Sequence, residues 1–297
     1  MTSSPATPHI LDALGLAVRL RRKPDEHKGH AGKVILVGGS PGMAGALLLA
    51  GNACLHLGAG WTILEILDPA SARADVEQPE LMIRLASNKP LETLNQYQPD
   101  VIAIGPGLGN SPIASDWLKA CLAYSEIPVV IDADAINLIA NSPELLNTLQ
   151  SRNQQFPNCT VLTPHPGEAA SLLRASAAEV QSNRVNSLTQ LILLTQSIVV
   201  LKGQHTLIGG PHNPTVQCNA GNPGMGTGGM GDVLTGSIAA LAAQGVRHQL
   251  NLWDASCLAV QLHAHAADSL VQQGVGPIGL TPSETILEMR NLLNKLL

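Results

Sequence analysis

The feature that most constrains the fold is a series of short runs, apolar at nearly every position, separated by stretches of helical periodicity. The runs are Lys33–Val37, Trp61–Ile66, Leu81–Leu85, Val101–Ile104, Val129–Ile131, Val161–Thr163 and Ile198–Lys202. A strand with one wet face alternates apolar and polar residues, whereas a strand apolar throughout must be covered on both faces. Helical patterns fall between the runs, near Ala44–Leu57, Pro112–Tyr124, Ala135–Ile139 and Ala177–Thr195. This alternation predicts an α/β fold with a mostly parallel sheet and helices on both sides. A small β excursion follows at Thr206–Gly209 and Thr215–Gln217, and the chain then turns helical over Val233–Ala243, Leu252–Gln272 and Pro282–Leu297. The 297 residues contain no internal repeat and no low-complexity linker, so one domain is expected over residues 10–297, behind a flexible N-terminal tail at residues 1–9.

Composition excludes several classes of function. Aromatic residues make up 2% of the chain, so the core is built from Leu, Ile, Val and Ala, and stacking of nucleic-acid bases on aromatic platforms is not available. The net charge is −5, and the densest basic run, Arg19 to Lys23, reads as a solvated helix end rather than a nucleic-acid surface. The five cysteines are widely spaced, with no CxxC pair, and read as small buried residues of a reducing cytosol. No apolar run is long enough to cross a bilayer. A cytoplasmic protein without membrane or nucleic-acid partners is expected.

The stretch Asn222 to Asp232 places Gly224, Gly226, Gly228, Gly229 and Gly231 around one carboxylate and runs directly into the helical segment from Val233. Glycines let backbone amides crowd toward a ligand, and a helix start adds unpaired N–H groups and the positive end of its dipole. Together they make a cradle for an anion, most often phosphate. Asp232 would be repelled by such a ligand, so two readings stand: an ordinary helix N-cap, or a base that accepts a proton from an attacking hydroxyl.

In a parallel sheet of this kind, ligands bind beyond the carboxyl ends of the strands. Five strand ends carry unusual residues: Gly38-Gly39-Ser40, Gly105 to Asn110, Asp132-Ala133-Asp134, Pro164 to Glu168, and Lys202-Gly203. Of Asp132 and Asp134, one is expected to cap the following helix while the other faces the site. His165, between two prolines, is either aimed at the site or an ordinary turn histidine, and Glu168 is expected at a helix start. Lys202, closing a buried strand, needs a partner, and phosphate is the expected one unless the lysine is solvated. His263 and His265, two apart on a helix, face different ways and are expected to be structural.

Taken together these segments identify the chain as similar to the ribokinase-like superfamily. More narrowly it resembles the ADP- or ATP-dependent NAD(P)H-hydrate dehydratases of the carbohydrate-kinase-domain family. The resemblance rests on Gly38-Gly39-Ser40 with Gly45-Ala46, Pro79 to Met82, Gly105 to Gly109, Ile131 to Ala135, Leu162 to Glu168, Leu201-Lys202-Gly203, and Asn222 through Leu234. These matches run in order from about residue 28 to residue 272. The Thr163-Pro164-His165-Pro166-Gly167-Glu168 form is typical of the dehydratases, where kinase relatives carry an Asn-led motif. Two positions depart from the family pattern: Gly226 stands for the usual alanine, and Met230 for the usual threonine or serine. The second is expected to remove a hydroxyl near the transferred phosphoryl group and so to bear on nucleotide affinity or rate.

The resemblance implies a ribokinase-like three-layer α/β/α sandwich and a repair reaction. A nicotinamide cofactor hydrated across C5–C6 would be phosphorylated on its C6 hydroxyl by ADP, less readily ATP, and phosphate then expelled, yielding NAD(P)H, AMP and phosphate. It implies Asp232 as the catalytic base; Ala46, Gly107, Gly109, His165 and Asp232 around the hydrated cofactor; and Lys202, Gly203, Gln204, His205, Thr206, Gly228, Gly229 and Gly231 around the adenine nucleotide. Magnesium (Mg2+) is implied on the donor phosphates, with Glu168 acting through water. A homotetramer is implied, as is a link to a separate NAD(P)HX epimerase, since the epimerase domain often fused ahead of this one is not found before residue 28. The alternatives are a small-alcohol kinase of thiazole or sugar type using the same cradle, and an idle nucleotide sensor.

Overall fold

A computed structural model describes residues 7–73, 75 and 77–297. The strands are β1 (His9–Ile10), β2 (Lys33–Gly38), β3 (Trp61–Ile66), β4 (Met82–Leu85), β5 (Val101–Ile104), β6 (Val129–Ile131), β7 (Thr160–Leu162), β8 (Ile198–Leu201), β9 (Leu207–Gly210) and β10 (Asn213–Gln217). The helices are α1 (Ala44–His56), α2 (Pro90–Tyr97), α3 (Pro112–Ala123), α4 (Ala133–Asn141), α5 (Pro143–Gln155), α6 (Pro166–Leu173), α7 (Ala177–Ser182), α8 (Arg184–Thr195), α9 (Met230–His248), α10 (Leu252–Gln272) and α11 (Pro282–Leu296).

All ten strands join one sheet in the order β1-β10-β9-β8-β7-β6-β5-β2-β3-β4. From β8 through β4 every neighbouring pair is parallel, while β9 and β10 return antiparallel. Successive strand residues go to opposite faces. Val34 and Leu36 of β2 pack with α1, α9, α10 and α11, whereas Ile35 and Val37 pack with α3, α4 and α5. Both faces are thus covered, which is why the strands are apolar throughout; each buried Leu, Ile or Val contributes about 1.5–3 kcal/mol.

The order reverses between β2 and β5: the chain first winds outward through β3 and β4, then returns to the other side of β2 for β5 to β8. That switch opens a crevice at the carboxyl ends of β2 and β5. The five strands whose ends looked unusual, β2, β5, β6, β7 and β8, are consecutive neighbours in the sheet, so their end loops form one continuous edge.

Several expectations are corrected. Of the tail expected over residues 1–9, residues 1–6 lie outside the described residues, and His9 is already in β1, paired with Val216. The single helix expected over Ala177–Thr195 is two, broken at Asn183, whose side chain accepts from the Asn186 N–H and caps the second. Helices α2 and α5 were not expected, and the helix expected to start near Glu168 begins as α6 at Pro166; each of the three has proline in its first turn, where the missing N–H costs nothing.

Candidate active site

Loops at the crevice are laced together by backbone. Gly39 N–H donates to the Pro106 carbonyl at 3.0 Å, and Ser40 N–H to the Gly107 carbonyl at 2.7 Å. Gly105 has φ of +134°, and a Cβ there would lie 1.8 Å from the Asp132 carbonyl oxygen, so no other residue fits. Ala46 lies in the first turn of α1, and a Cβ on Gly107 would come within 3.3 Å of its methyl. Gly109 N–H donates to Asp134 Oδ2 at 2.8 Å. Ala46, Gly107 and Gly109 therefore lie together where the loop after β5 meets the start of α1.

The expected cap role for one of the two aspartates does not hold. Asp132 occupies the N-cap position of α4, yet its side chain makes no capping hydrogen bond. Its carboxylate, 1% exposed, instead accepts from Lys202 Nζ at 2.6 Å, Thr163 Oγ1 at 2.7 Å and Thr235 Oγ1 at 2.8 Å. Asp134 is turned to Gly109. Lys202, in turn, finds its charge partners within the protein: Asp132, and Glu168 Oε2 at 4.0 Å. Burial alone would depress the lysine, but Asp132 and then Glu168 hold its ammonium above the ordinary lysine value.

His165 is the N-cap of α6, and its Nδ1 accepts from the Gly167 and Glu168 amides. Glu168 closes the capping box by accepting from the His165 N–H at 2.7 Å. The proline pair around His165 thus serves a helix start, with the imidazole half-exposed. Burial, then Lys202, holds His165 below the ordinary histidine value against the opposing pull of Asp132. Gly203, Gln204 and His205 form an exposed turn after β8, and Thr206 Oγ1 donates to the Gly203 carbonyl at 2.9 Å.

The glycine loop ends in α9, which starts at Met230, three residues earlier than expected. Gly229 has φ of +96°, the left-handed conformation that turns the loop into the helix. Of the first helical N–H groups, that of Met230 donates to the Thr227 carbonyl at 3.4 Å, while those of Gly231 and Asp232 have no acceptor within the helix. Asp232 is half-buried in this first turn, and its side chain makes no cap bond. Burial, then the neighbouring Asp132, with smaller contributions from Asp134 and Glu168, pushes its carboxyl up to about 7 against the opposing pull of Lys202. Glu168 is likewise pushed up to about 7, by burial first and Asp132 next, with Lys202 opposing. Asp132, Asp134, Glu168 and Asp232 thus gather around the single ammonium of Lys202. A carboxylate held near 7 beside helix amides can accept a proton from a hydroxyl while the amides receive a developing oxyanion.

Met230 corrects another expectation. Its side chain is 4% exposed and packs with Ala267, Leu270 and Leu280, with Met225 and Val275 alongside. It belongs to an apolar plug between α9 and α10. A Cβ at Gly226 would meet nothing within 4 Å, so the alanine usual in the family would fit.

Sequence reasoning missed Thr163, Thr235, Arg184 and Asp268. Arg184 donates to the Leu201 carbonyl at 2.9 Å and steadies the end of β8. Asp268 accepts from the Gly221 N–H and the Asn222 amide and anchors the start of the glycine loop. Thr163 lies at a strand end within the Thr163 to Glu168 motif, yet no local pattern gives it or the other three a role.

A parallel sheet covered on both faces, with a glycine loop and a first-turn aspartate at its carboxyl edge, defines the ribokinase-like class of α/β/α proteins. Residues 34–288 match the carbohydrate-kinase family described as NAD(P)H-hydrate dehydratase, and the chain belongs to that family. It is 33% identical to the ADP-dependent (S)-NAD(P)H-hydrate dehydratase of Neisseria meningitidis, over 97% of this chain and 91% of that one. It is 38% identical to the bifunctional NAD(P)H-hydrate repair enzyme Nnr of Coxiella burnetii, over 92% of this chain and 53% of that one. The chain spans about half the length of the first curated relatives it matches. Among solved structures, an ADP/ATP-dependent NAD(P)H-hydrate dehydratase of Bacillus subtilis, co-crystallised with ATP and Mg2+, superposes with a TM-score of 0.82 at 25% identity. The match covers 98% of this chain and 99% of that one.

Proposed function

We propose that the protein repairs hydrated nicotinamide cofactor: it converts (6S)-NADHX or (6S)-NADPHX to NADH or NADPH at the expense of ADP, releasing AMP and phosphate. The observation that carries this reading is Asp232, a half-buried carboxyl held near 7 in the first turn of α9, where the Gly231 and Asp232 amides have no acceptor within the helix. In this reading Asp232 takes the proton of the C6 hydroxyl as its oxygen attacks the terminal phosphorus of the donor, and AMP leaves. The ring nitrogen lone pair then expels phosphate from C6, and loss of the C5 proton restores the double bond. Base catalysis of this kind is worth on the order of 10²–10⁴-fold in rate. The amides of Gly228, Gly229 and Gly231 would receive charge on the phosphoryl oxygens, about 3 kcal/mol for each well-aimed donor.

The hydrated cofactor is assigned to the Ala46, Gly107, Gly109 and His165 side of the crevice. The nucleotide is assigned to the turn Lys202 to Thr206 and the start of α9. Charge balance supports a divalent cation: Asp134, Glu168 and Asp232 exceed what Lys202, already paired with Asp132, can neutralise, and the donor phosphates add more. Among the described residues no group of three or more His, Cys, Asp or Glu side chains is disposed to hold a metal directly. Magnesium therefore fits as an ion carried on the phosphates, with Glu168 holding its water, where it would withdraw charge from the transferred group. A homotetramer, a cytoplasmic setting and a functional link to an NAD(P)HX epimerase belong to the same proposal. Among the described residues no helix is long and apolar enough to cross a membrane.

The test is recovery of NADH absorbance from prepared NADHX with magnesium and ADP, ATP or neither. Recovery that requires a donor and matches phosphate release supports the reading, and the better donor identifies the co-substrate. A stable phosphorylated product without NADH would establish a kinase instead.

A further inference from the structure

We propose that Asp132 is a positioning residue for this reaction, clamping the Lys202 ammonium against the first turn of α9 so that lysine and helix amides present one fixed surface to the transferred phosphoryl group. The inference rests on the functional reading above and assigns work to a residue given no catalytic or binding role in that reading. Three elements converge on this one carboxylate. Lys202, at the end of β8, reaches Oδ1 at 2.6 Å; Thr163, just past β7, reaches Oδ1 at 2.7 Å; and Thr235, one turn into α9, reaches Oδ2 at 2.8 Å. The backbone of Asp132 is itself fixed, its N–H donating to the Ile104 carbonyl at 3.1 Å and its carbonyl pressed against Gly105.

The spacing on α9 gives the clamp its consequence. A Cβ at Gly231 would lie 3.2 Å from Lys202 Nζ and 3.8 Å from Asp132 Oδ2, so helix backbone and ion pair meet without a side chain between them. Thr235 ties the same helix to the other carboxylate oxygen. With both oxygens engaged and 1% exposure, Asp132 has no free face for a substrate proton; it acts through Lys202 and α9, and Asp232 remains the base. An ionised carboxylate is tolerable at such depth only because three donors replace its water.

The charged groups facing Asp232 are Asp132 and Asp134 at the start of α4, Glu168 on α6 and Lys202 after β8. Removing the charge of Asp132 therefore has two effects: it loosens the clamp, and it relieves Asp232 of a like charge. Asp132→Asn is expected to lower kcat about 10²-fold, the order of loss for an ångström-scale misplacement. It is also expected to move the acidic limb of the kcat/KM profile to lower pH, which a merely structural role would not do. Thr235→Val keeps every charge and removes one hydrogen bond; about a tenfold loss of kcat is expected, recovered by Thr235→Ser. A folded Asp132→Asn enzyme with wild-type kcat and an unmoved acidic limb would overturn the proposal. Should that variant fail to fold, full activity in Thr235→Val would overturn it equally. The wild-type assay is read first: no recovery of NADH there defeats the functional reading, whereas an active wild type with an equally active Asp132→Asn defeats only the clamp.

Discussion

Replacing Met230 by threonine restores the residue usual in the family and separates two accounts of the cradle. If the family hydroxyl were needed at the phosphoryl group, Met230→Thr would raise turnover. The structure argues otherwise, because the Met230 side chain is buried against Ala267, Leu270 and Leu280. Truncation there removes most of a methionine from an apolar plug and leaves a cavity. Losses for large-to-small changes at such sites run from about 2 to 5 kcal/mol. Threonine retains a methyl, so the low end applies, about 2 kcal/mol. For a chain of this size that corresponds to a fall in Tm of about 3 °C. The assay is thermal unfolding of wild type and variant without ligand, together with kcat under saturating donor and NADHX. The expected outcome is a clear loss of Tm with kcat within about threefold. A rise in kcat of tenfold or more with Tm unchanged would refute the reasoning, since it would mean that residue 230 faces the phosphate rather than the plug.

Two further predictions follow from buried carboxyl groups. Asp232 must be ionised to act as a base and sits near 7, so the acidic limb of kcat/KM, which reports the free enzyme, should fall with a midpoint near pH 7. A limb near pH 4 would contradict the crowding of carboxylates described here. Glu65 on β3 is wholly buried opposite Arg84, whose Nε lies 3.2 Å away, and burial pushes its carboxyl up to about 7 despite that partner. Its folded value exceeds the unfolded one, so its contribution to stability is full below about pH 4.5 and is lost as pH rises through 7. The loss is of order 3 kcal/mol. Glu65→Gln should therefore raise Tm relative to wild type at pH 8 and make little difference at pH 4.5; a lower Tm at pH 8 would show that the ion pair outweighs its desolvation.

The fold was legible where chemistry left no choice. Ile102 and Ile104 face one layer and Val101 and Ala103 the other, so β5 had to be apolar throughout and could be read directly from the sequence. Helices α2 and α5 were illegible because they are polar, surface-lying and begin at Pro90 and Pro143, residues that read as loop punctuation. The helix start at Glu168 was legible, but the flanking prolines hid the role of His165 as its cap. In the site, the glycine loop and the strand-end residues announced themselves by composition. The network around Asp132 did not, since Thr163 and Thr235 look like any other residue in a strand or helix until the fold brings them 2.7 and 2.8 Å from the same carboxylate. The partner of Lys202 was missed for the same reason: a ligand phosphate was expected where an aspartate from 70 residues earlier was waiting.

The most direct test of the central claim is the Asp232→Asn enzyme, assayed for NADH recovery from NADHX and, by calorimetry, for ADP binding with magnesium. The substitution keeps the shape of the first turn of α9 and removes both the proton acceptor and a charge facing the phosphate. The account predicts turnover reduced by about 10²–10⁴-fold, with ADP bound as tightly as in wild type or more so. Turnover within a few-fold of wild type would contradict it, and would mean that the proton of the attacking hydroxyl leaves by another route.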